Sequence, residues 1–144
     1  MTACQFFGRL HSLVLHFPVA LLILAAALEF VSVFHDDARL GRLTVFDLAV
    51  GVVSVVVAAG TDWIFAHESH PKEPVHTILT WHRCLGVTTA ALSVLAWAAA
   101  QRWSDDPRRG ARRLGHAVVW LAVGLLMVTA HLGARLVWGT DYFS

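Results

Sequence analysis

Four apolar runs dominate the sequence, and each is long enough to cross a lipid bilayer as a helix. A transmembrane helix needs about 20 mainly apolar residues to span the roughly 30 Å of hydrocarbon. The runs cover residues 12–34, 43–66, 78–100 and 114–138. The sequence therefore predicts an all-α, transmembrane four-helix bundle that forms a single domain over residues 1–144.

The composition argues against a soluble bundle. Only 15% of the residues are charged, whereas soluble domains average about a quarter. Segments 48–60 and 118–130 lack the polar stripe that a helix needs to face water. The first run is too long for a secretory signal, and it lacks the basic start and the small-residue cleavage site of one. The net charge of +1 gives no reason to expect nucleic acid as a partner.

The arginines predict the orientation of the bundle. The connections 35–42 and 101–113 carry seven of them, while the opposite side has only four basic residues, Arg9, Lys72, Arg83 and Arg135. Lys and Arg are enriched in cytoplasmic loops. Both termini and the 67–77 connection are therefore expected to face outward, in the cell membrane of a bacterium, as a multi-pass protein with N-out and C-out topology.

The histidines gather at the predicted outward face. Seven of the nine lie at the outward ends of the four helices, whereas His35 and His116 lie at the cytoplasmic ends. Three of the seven belong to the polar, proline-interrupted segment HESHPKEPVHT and are either solvated loop residues or a loop metal site: His67, His70 and His76. The other four lie inside or at the edge of apolar runs: His11, His16, His82 and His131. Such residues tend to face the bundle interior and to mark function, although an interhelical hydrogen bond would also explain any one of them.

Three of these histidines head rows of side chains at helical spacing. The rows are His16, Ala20, Ile23 and Ala27 in the first helix, His82, Gly86, Thr89 and Ser93 in the third, and Gly124, Met127, His131 and Arg135 in the fourth. Residues three or four apart share a helix face. Small residues beneath an inward histidine leave room for a flat ligand, although they also serve plain helix packing.

Two histidines on facing helices and a flat cavity are typical of bis-histidine haem b in a bundle core. We expect His16 and His131 to ligate the iron, with His82 and His11 as alternates. One haem is expected, and a second is left open. Arg135 and Arg83 are placed to pair with the haem propionates. Zinc, which prefers three or four ligands, and copper, which accepts imidazole, remain alternatives for the same histidines.

Pro18 leaves two arrangements open for HSLVLHF. Within a helix it removes a backbone donor and kinks the chain, and His11 and His16 would be about 140° apart in an unbroken helix. In the first turn of a helix it would instead follow an irregular entry segment that lets both histidines point the same way.

The remaining polar residues support weaker hypotheses. Asp47, Asp62 and Glu29 lie near helix ends, where they are either paired at the membrane interface or part of a proton path. Cys4 and Cys84 are both on the outward side, where a disulfide is chemically allowed. No CxxCH motif is present, so a covalently attached c-type haem is not expected.

Four motifs resemble a bacterial family of predicted four-span membrane proteins known as domain of unknown function 2231. They are HSLVLHFPVALL (11–22), GTDWIFAHE (60–68), LTWHRCLGV (79–87) and HLGARLVWGTDYF (131–143), in the family's order and over essentially the whole chain. The family's histidines carry over onto His11, His16, His82 and His131. Ser12 replaces its usual Pro, Ala134 a Gly, and Trp138 a His that would have been an outward ligand. The resemblance implies the four-helix architecture, and relatives that look fused to c-type cytochrome domains point to redox work by association.

The sequence as a whole predicts a small, cytochrome-b-like membrane subunit with no catalytic residues of its own. It would pass electrons between the quinone pool and a periplasmic redox protein or c-type cytochrome, within a larger membrane complex. The alternative is a non-redox membrane protein, either a histidine-based metal-binding or transport unit or a structural anchor.

Overall fold

The computed structural model of the chain consists of four long helices. It describes the backbone of residues 3–35, 37–67, 75–103 and 109–139, and the side chains of residues 15–35, 37–63, 75–102 and 113–139. The helices are α1 (Ala3–Phe34), α2 (Ala38–His67), α3 (Val75–Trp103) and α4 (Arg109–Trp138). The all-α prediction is confirmed.

Each helix contains a segment long and apolar enough to cross a membrane. The segments are Leu15–Phe34, Ala38–Trp63, Val75–Arg102 and Arg113–Trp138, close to the four predicted spans. Only 22% to 33% of each apolar segment is buried inside the chain. The outer surface of the bundle is therefore largely apolar, as a surface in contact with lipid must be.

α1 settles the question left open by Pro18. The helix begins at Ala3, well before the predicted residue 12, and it continues through Pro18. The placement of Pro18 in a first turn after an irregular segment is therefore wrong. Its ring is fully buried, so the side chain packs on the core face although the residue cannot donate to the helix ladder.

Two helix ends have clear local causes. α2 begins at Ala38, earlier than the predicted residue 43, because the Oδ1 of Asp37 accepts a hydrogen bond from the backbone N–H of Arg39 at 2.8 Å. An aspartate in this N-cap position satisfies one of the free donors of the first turn. α4 ends at Trp138 because Gly139 takes a φ of 94°, the left-handed conformation typical of a C-terminal cap.

Neighbours in sequence are neighbours in space. α1 packs extensively on α2, and α3 on α4; the α2–α3 contact is smaller and the α1–α4 contact is the smallest. The described residues make no substantial contact between α1 and α3 or between α2 and α4, so the helices form an up-down-up-down square. We call the end where α1 and α3 begin the terminal end, and the end where α2 and α4 begin the hairpin end.

The apolar core lies in the middle and toward the hairpin end. Small residues let the helices approach closely, and a few larger ones fill the space between them. The core consists of Leu22, Ala25, Ala26, Leu48, Ala96, Ala100, Val119, Ala122, Val123 and Leu126. Toward both ends this core gives way to buried polar side chains.

Candidate functional site

His82 is the best-defined polar residue at the terminal end. The residue is 7% exposed, and Nδ1 lies 2.9 Å from the backbone carbonyl oxygen of Thr129 on α4. Because a carbonyl can only accept, Nδ1 carries the proton and donates. The other ring nitrogen, Nε2, lies 4.0 Å from Oδ1 of Asp62 on α2. His82 therefore joins three helices, and the inward orientation predicted for it is confirmed.

Gly133 makes the position of His82 possible. A Cβ at this residue would lie 2.9 Å from Cε1 of the His82 ring. Real Cβ atoms essentially never come so close to another heavy atom, so an alanine here would push the imidazole or the helix aside. Glycine at this position lets the ring lie flat against α4 and reach the carbonyl of Thr129.

Hydroxyl groups continue the polar cluster toward the middle of the bundle. The hydroxyl oxygens of Thr89 and Thr129 lie 3.3 Å apart, and Ser93 donates to the carbonyl of Thr89 at 2.8 Å. All three side chains are buried. Thr89 and Ser93 belong to the row headed by His82, so the prediction that this face of α3 points inward holds along its length.

Arg83 packs on an aromatic ring. Its guanidinium carbon lies 3.9 Å from the centroid of the Trp63 ring, which is a cation–π contact between α3 and α2. The Nε of Arg83 is buried and has no hydrogen-bond partner among the described residues. This side chain is therefore already held in place within the chain.

His16 and His131 are not directed into the bundle. Both side chains are exposed, although each has an interaction within the chain. The rows that they head are exposed with them: Ala20, Ile23 and Ala27 in α1, and Gly124 and Met127 in α4. The expected inward orientation of these two faces is wrong, because α1 and α4 bury a different stripe of small apolar residues in the core.

The two exposed histidines lie at similar depth. Glu29 on α1 contacts His116 on α4 near the hairpin end, which gives a common reference point for the two helices. From that contact, His16 is about 20 Å and His131 about 22 Å toward the terminal end, at 1.5 Å per residue. The two depths differ by two residues of helix rise, about 3 Å.

Burial along α4 becomes uneven at this depth. Val119, Val123 and Leu126 form a buried stripe along α4. One turn later, Ala130 is exposed, whereas Thr129 beside it is buried. Arg135, one turn beyond His131, is half-buried.

The hairpin end holds a second buried polar cluster. Nδ1 of His116 donates a hydrogen bond to Oε2 of Glu29, which joins α4 to α1. Asp47 on α2 is 6% exposed, and its Oδ2 has no hydrogen-bond partner among the described residues. Nε1 of Trp97 on α3 is buried and unpartnered within the same ranges. Glu29 is thus paired, and neither carboxylate reaches out to the membrane surface.

The remaining sequence candidates are placed as follows. Among the described side chains, no three His, Cys, Asp or Glu come together as a metal site. His76 is exposed at the start of α3, and Cys84 is an exposed free thiol. The predictions for four further side chains lie outside the described residues: Cys4, His11, His67 and His70.

Three partners in these clusters were not identified from the sequence. Thr129 lies within an apolar run, Gly133 has no side chain that would indicate a contact, and His116 lies at the end opposite to most of the histidines. Gly133 sits two residues after His131 in the HLGARL motif, which is a local signal. The pairings of His82 with Thr129 and of His116 with Glu29 span 47 and 87 residues, and no local pattern could reveal them.

The comparison with known families agrees with the fold. A model described as "Predicted membrane protein (DUF2231)" matches residues 9–142, which is nearly the whole chain. No curated protein and no solved structure matches the chain. With four membrane-length helices and a match over almost its full length, the chain belongs to the family of predicted membrane proteins called domain of unknown function 2231.

Proposed function

We propose that this protein is a haem b-binding, electron-transferring subunit of a membrane complex, with His16 and His131 as the axial ligands. The observation that carries the proposal is the placement of one imidazole on each of two helices in contact, α1 and α4, at similar depth within the apolar spans. Polar residues within membrane spans often mark function.

The residues near the two histidines have the chemistry that such a group needs. A histidine on each of two neighbouring helices supplies two strong nitrogen ligands, and the rows that contain them are exposed and apolar. Arg135, beyond His131, supplies a cation for the propionates. Bound haem b would supply one-electron chemistry at its iron, while the chain holds and orients it.

The alternate ligands are less suitable. His82 is enclosed by three helices, and its ring already lies against Gly133, which leaves no space for a macrocycle. Arg83 is stacked on Trp63, so Arg135 is the better propionate partner.

The charge pattern supports an orientation for the bundle, and the partners proposed for the haem depend on that orientation. The hairpin end carries the arginine-rich connections, so it would face the cytoplasm of a bacterium and the terminal end the periplasm. A haem near the terminal end would exchange electrons with the quinone pool and with a periplasmic redox protein such as a c-type cytochrome.

The test is an absorption spectrum of the purified protein supplied with haem. The wild type should give the sharp reduced bands of low-spin haem b, and His16→Ala or His131→Ala should remove them. His76→Ala is the matched control, because His76 is exposed but lies at the start of α3, and it should leave the bands intact. A colourless wild type that retains zinc or copper would overturn the haem proposal in favour of a non-redox metal-binding protein.

Arg135 separates haem from a bare cation. With haem, Arg135→Leu removes a propionate partner and should weaken haem retention or shift the reduction potential. With a divalent cation at the same histidines, removing the arginine charge should leave metal binding unchanged or tighter. An arginine that only extends to lipid headgroups would give neither effect. Haem retention and metal content, measured on the same preparations, distinguish the three cases.

Topology is tested with a reporter fused after Ser144. The reporter is one that works only in the periplasm. We expect it to be active in this fusion, because the seven arginines at the hairpin end oppose translocation of that end across the membrane. Activity of a cytoplasmic reporter at the same position would contradict the outward placement of the site.

A further inference from the structure

Exposed arginines surround the hairpin end of the bundle. Four of them lie among the described side chains, two on α2 and one each on α3 and α4: Arg39, Arg42, Arg102 and Arg113. All four are exposed, and none makes an ion pair with the part of the chain that the structure describes. We call these four residues the arginine belt.

Contacts between the helices place the arginine belt at one depth. α1 is tied to α2, α2 to α3 and α1 to α4 by the contacts of Leu22 with a Cβ at Gly51, of Asp62 with His82, and of Glu29 with His116. Counted from these points at 1.5 Å per residue, the four arginines fall within about 5 Å of one level. The same count puts Gly133 within about 2 Å of the level of His82, and these two residues are indeed in contact. The belt is therefore a thin layer of charge.

Each helix of the arginine belt carries exposed apolar residues next to its arginine, toward the middle of the bundle. The rows are Arg39, Leu43 and Phe46 in α2, Arg102, Ala98 and Leu95 in α3, and Arg113, Ala117 and Trp120 in α4. Residues three or four apart share a helix face, and Phe46 also lies one turn after Arg42. Each strip of outer surface is thus cationic at the hairpin end and apolar beyond it.

Acidic side chains do not neutralise the arginine belt. Among the described residues near this end, Asp37 is the one exposed acid, and it caps α2 by accepting a hydrogen bond from the backbone of Arg39. The other two, Glu29 and Asp47, are buried. The cations at the surface therefore exceed the anions in this part of the structure.

The two ends of the bundle differ in charge in the sequence as well. In the connections 35–42 and 101–113, seven arginines stand against four aspartates, which gives a net charge of +3. In the connection 67–77 at the terminal end, two glutamates stand against one lysine, which gives a net charge of −1. An anionic partner is therefore expected at the hairpin end alone.

We propose that the arginine belt binds the headgroups of acidic phospholipids in the leaflet at the hairpin end. A cation beside an apolar strip matches an amphiphile whose phosphate pairs with the guanidinium and whose acyl chains lie along the helix. A zwitterionic phospholipid would bring its own cation toward the arginines, so the excess positive charge favours a lipid with a net negative charge. A soluble phosphate would leave the apolar strip uncovered.

The test measures which phospholipid remains bound to the purified full-length protein. Delipidated protein in a neutral detergent is mixed with equal amounts of phosphatidylglycerol and phosphatidylcholine that have the same acyl chains, and native mass spectrometry counts each lipid in the complex. The wild type should hold several-fold more phosphatidylglycerol at low salt, and the ratio should fall as salt screens the exposed charges. No haem is added, so the result is independent of the proposed electron-transfer function.

Substitutions in the arginine belt test whether its charge causes the preference. Replacing all four arginines with Gln should bring the two lipids to equal binding, whereas replacing them with Lys should keep most of the preference. Arg42→Gln alone should lower the ratio by up to about fivefold, the contribution of one basic residue near an acidic surface. Lys72→Gln is the matched control, because it removes one positive charge from the connection 67–77 and should leave the ratio unchanged.

Three outcomes would overturn the proposal. Equal binding of the two lipids by the wild type would show that the arginine belt does not select acidic headgroups. A preference that persists in the folded variant without the four arginines would place the lipid elsewhere on the surface. Displacement of phosphatidylglycerol by an equal concentration of glycerol phosphate, which has no acyl chains, would show that the belt binds soluble phosphate. Elution of each variant as a single species in detergent establishes that it is folded.

Discussion

Two pairs of histidines in this molecule have opposite environments. His82 is buried and His116 part-buried, and each bonds to a neighbouring helix. His16 and His131 lie within the apolar spans but are exposed on the outside of α1 and α4. The first pair holds helices together through interhelical hydrogen bonds. The exposed pair also interacts within the chain, but it does not take part in the core, and the function proposed above assigns both residues to a ligand.

The comparison separates side chains that hold the bundle together from candidate ligands. Side chains that bridge helices set the bundle interior, and changing them should alter the stability of the protein. Side chains exposed on the outside do not hold the core, and changing His16 or His131 should alter ligand binding while the bundle remains folded. A substitution at His16 or His131 that unfolds the protein would break this distinction.

The largest expected effect concerns the Glu29–His116 pair. Glu29→Leu or His116→Leu removes one partner of a buried pair and leaves the other unpaired, which should lower the free energy of unfolding by about 3 kcal/mol. The double variant should lose less than either single change, because no polar group is then left alone. Denaturant unfolding in detergent, followed by tryptophan fluorescence, measures all three.

His35 supplies the control for that prediction. It is exposed at the hairpin end, and its Nδ1 lies 3.3 Å from the carbonyl of Val31 in its own helix. His35→Leu should therefore change the unfolding free energy by less than about 0.5 kcal/mol. Equal losses for His35→Leu and His116→Leu would show that burial of the pair is unimportant.

A smaller effect is expected at Gly133. Gly133→Ala forces the His82 ring or α4 to shift and should destabilise the protein by about 1 to 3 kcal/mol. Gly124→Ala is the control, because nothing lies within 4 Å of a Cβ at that residue and alanine favours the helix. Thermal unfolding compares the two variants. An unchanged Gly133→Ala protein would mean that His82 does not pack against α4.

The smallest effect is expected for the cation–π contact at the surface. Trp63→Leu removes the ring under Arg83 and should cost about 0.5 to 1 kcal/mol, since the tryptophan is 54% exposed. Trp81→Leu is the control, because Trp81 is 60% exposed and has no such contact among the described residues. A difference in thermal stability between the two variants isolates the contribution of Arg83.

Local sequence was sufficient for some features of the candidate site. The row headed by His82 faces inward as predicted, since its threonine and serine hydroxyls are costly in lipid and mark the buried face of α3. The rows headed by His16 and His131 carry only small or apolar residues beneath the histidine. Those residues are equally suited to lipid and to helix packing, so their spacing could not reveal which way they point.

The sequence by itself determined the four spans, their membrane length and the family. These features depend on runs of apolar residues. Within a bilayer the backbone N–H and C=O groups of such a run must bond to each other, and a helix is the structure that achieves this. Only the tertiary structure decided the course of α1 through Pro18, the outward faces of α1 and α4, and the pairing of His116 with Glu29. The physical reason is that lipid and protein core are both apolar. In a soluble bundle, polar residues mark the outside of every helix; in a membrane that signal is missing, and packing alone selects the buried face.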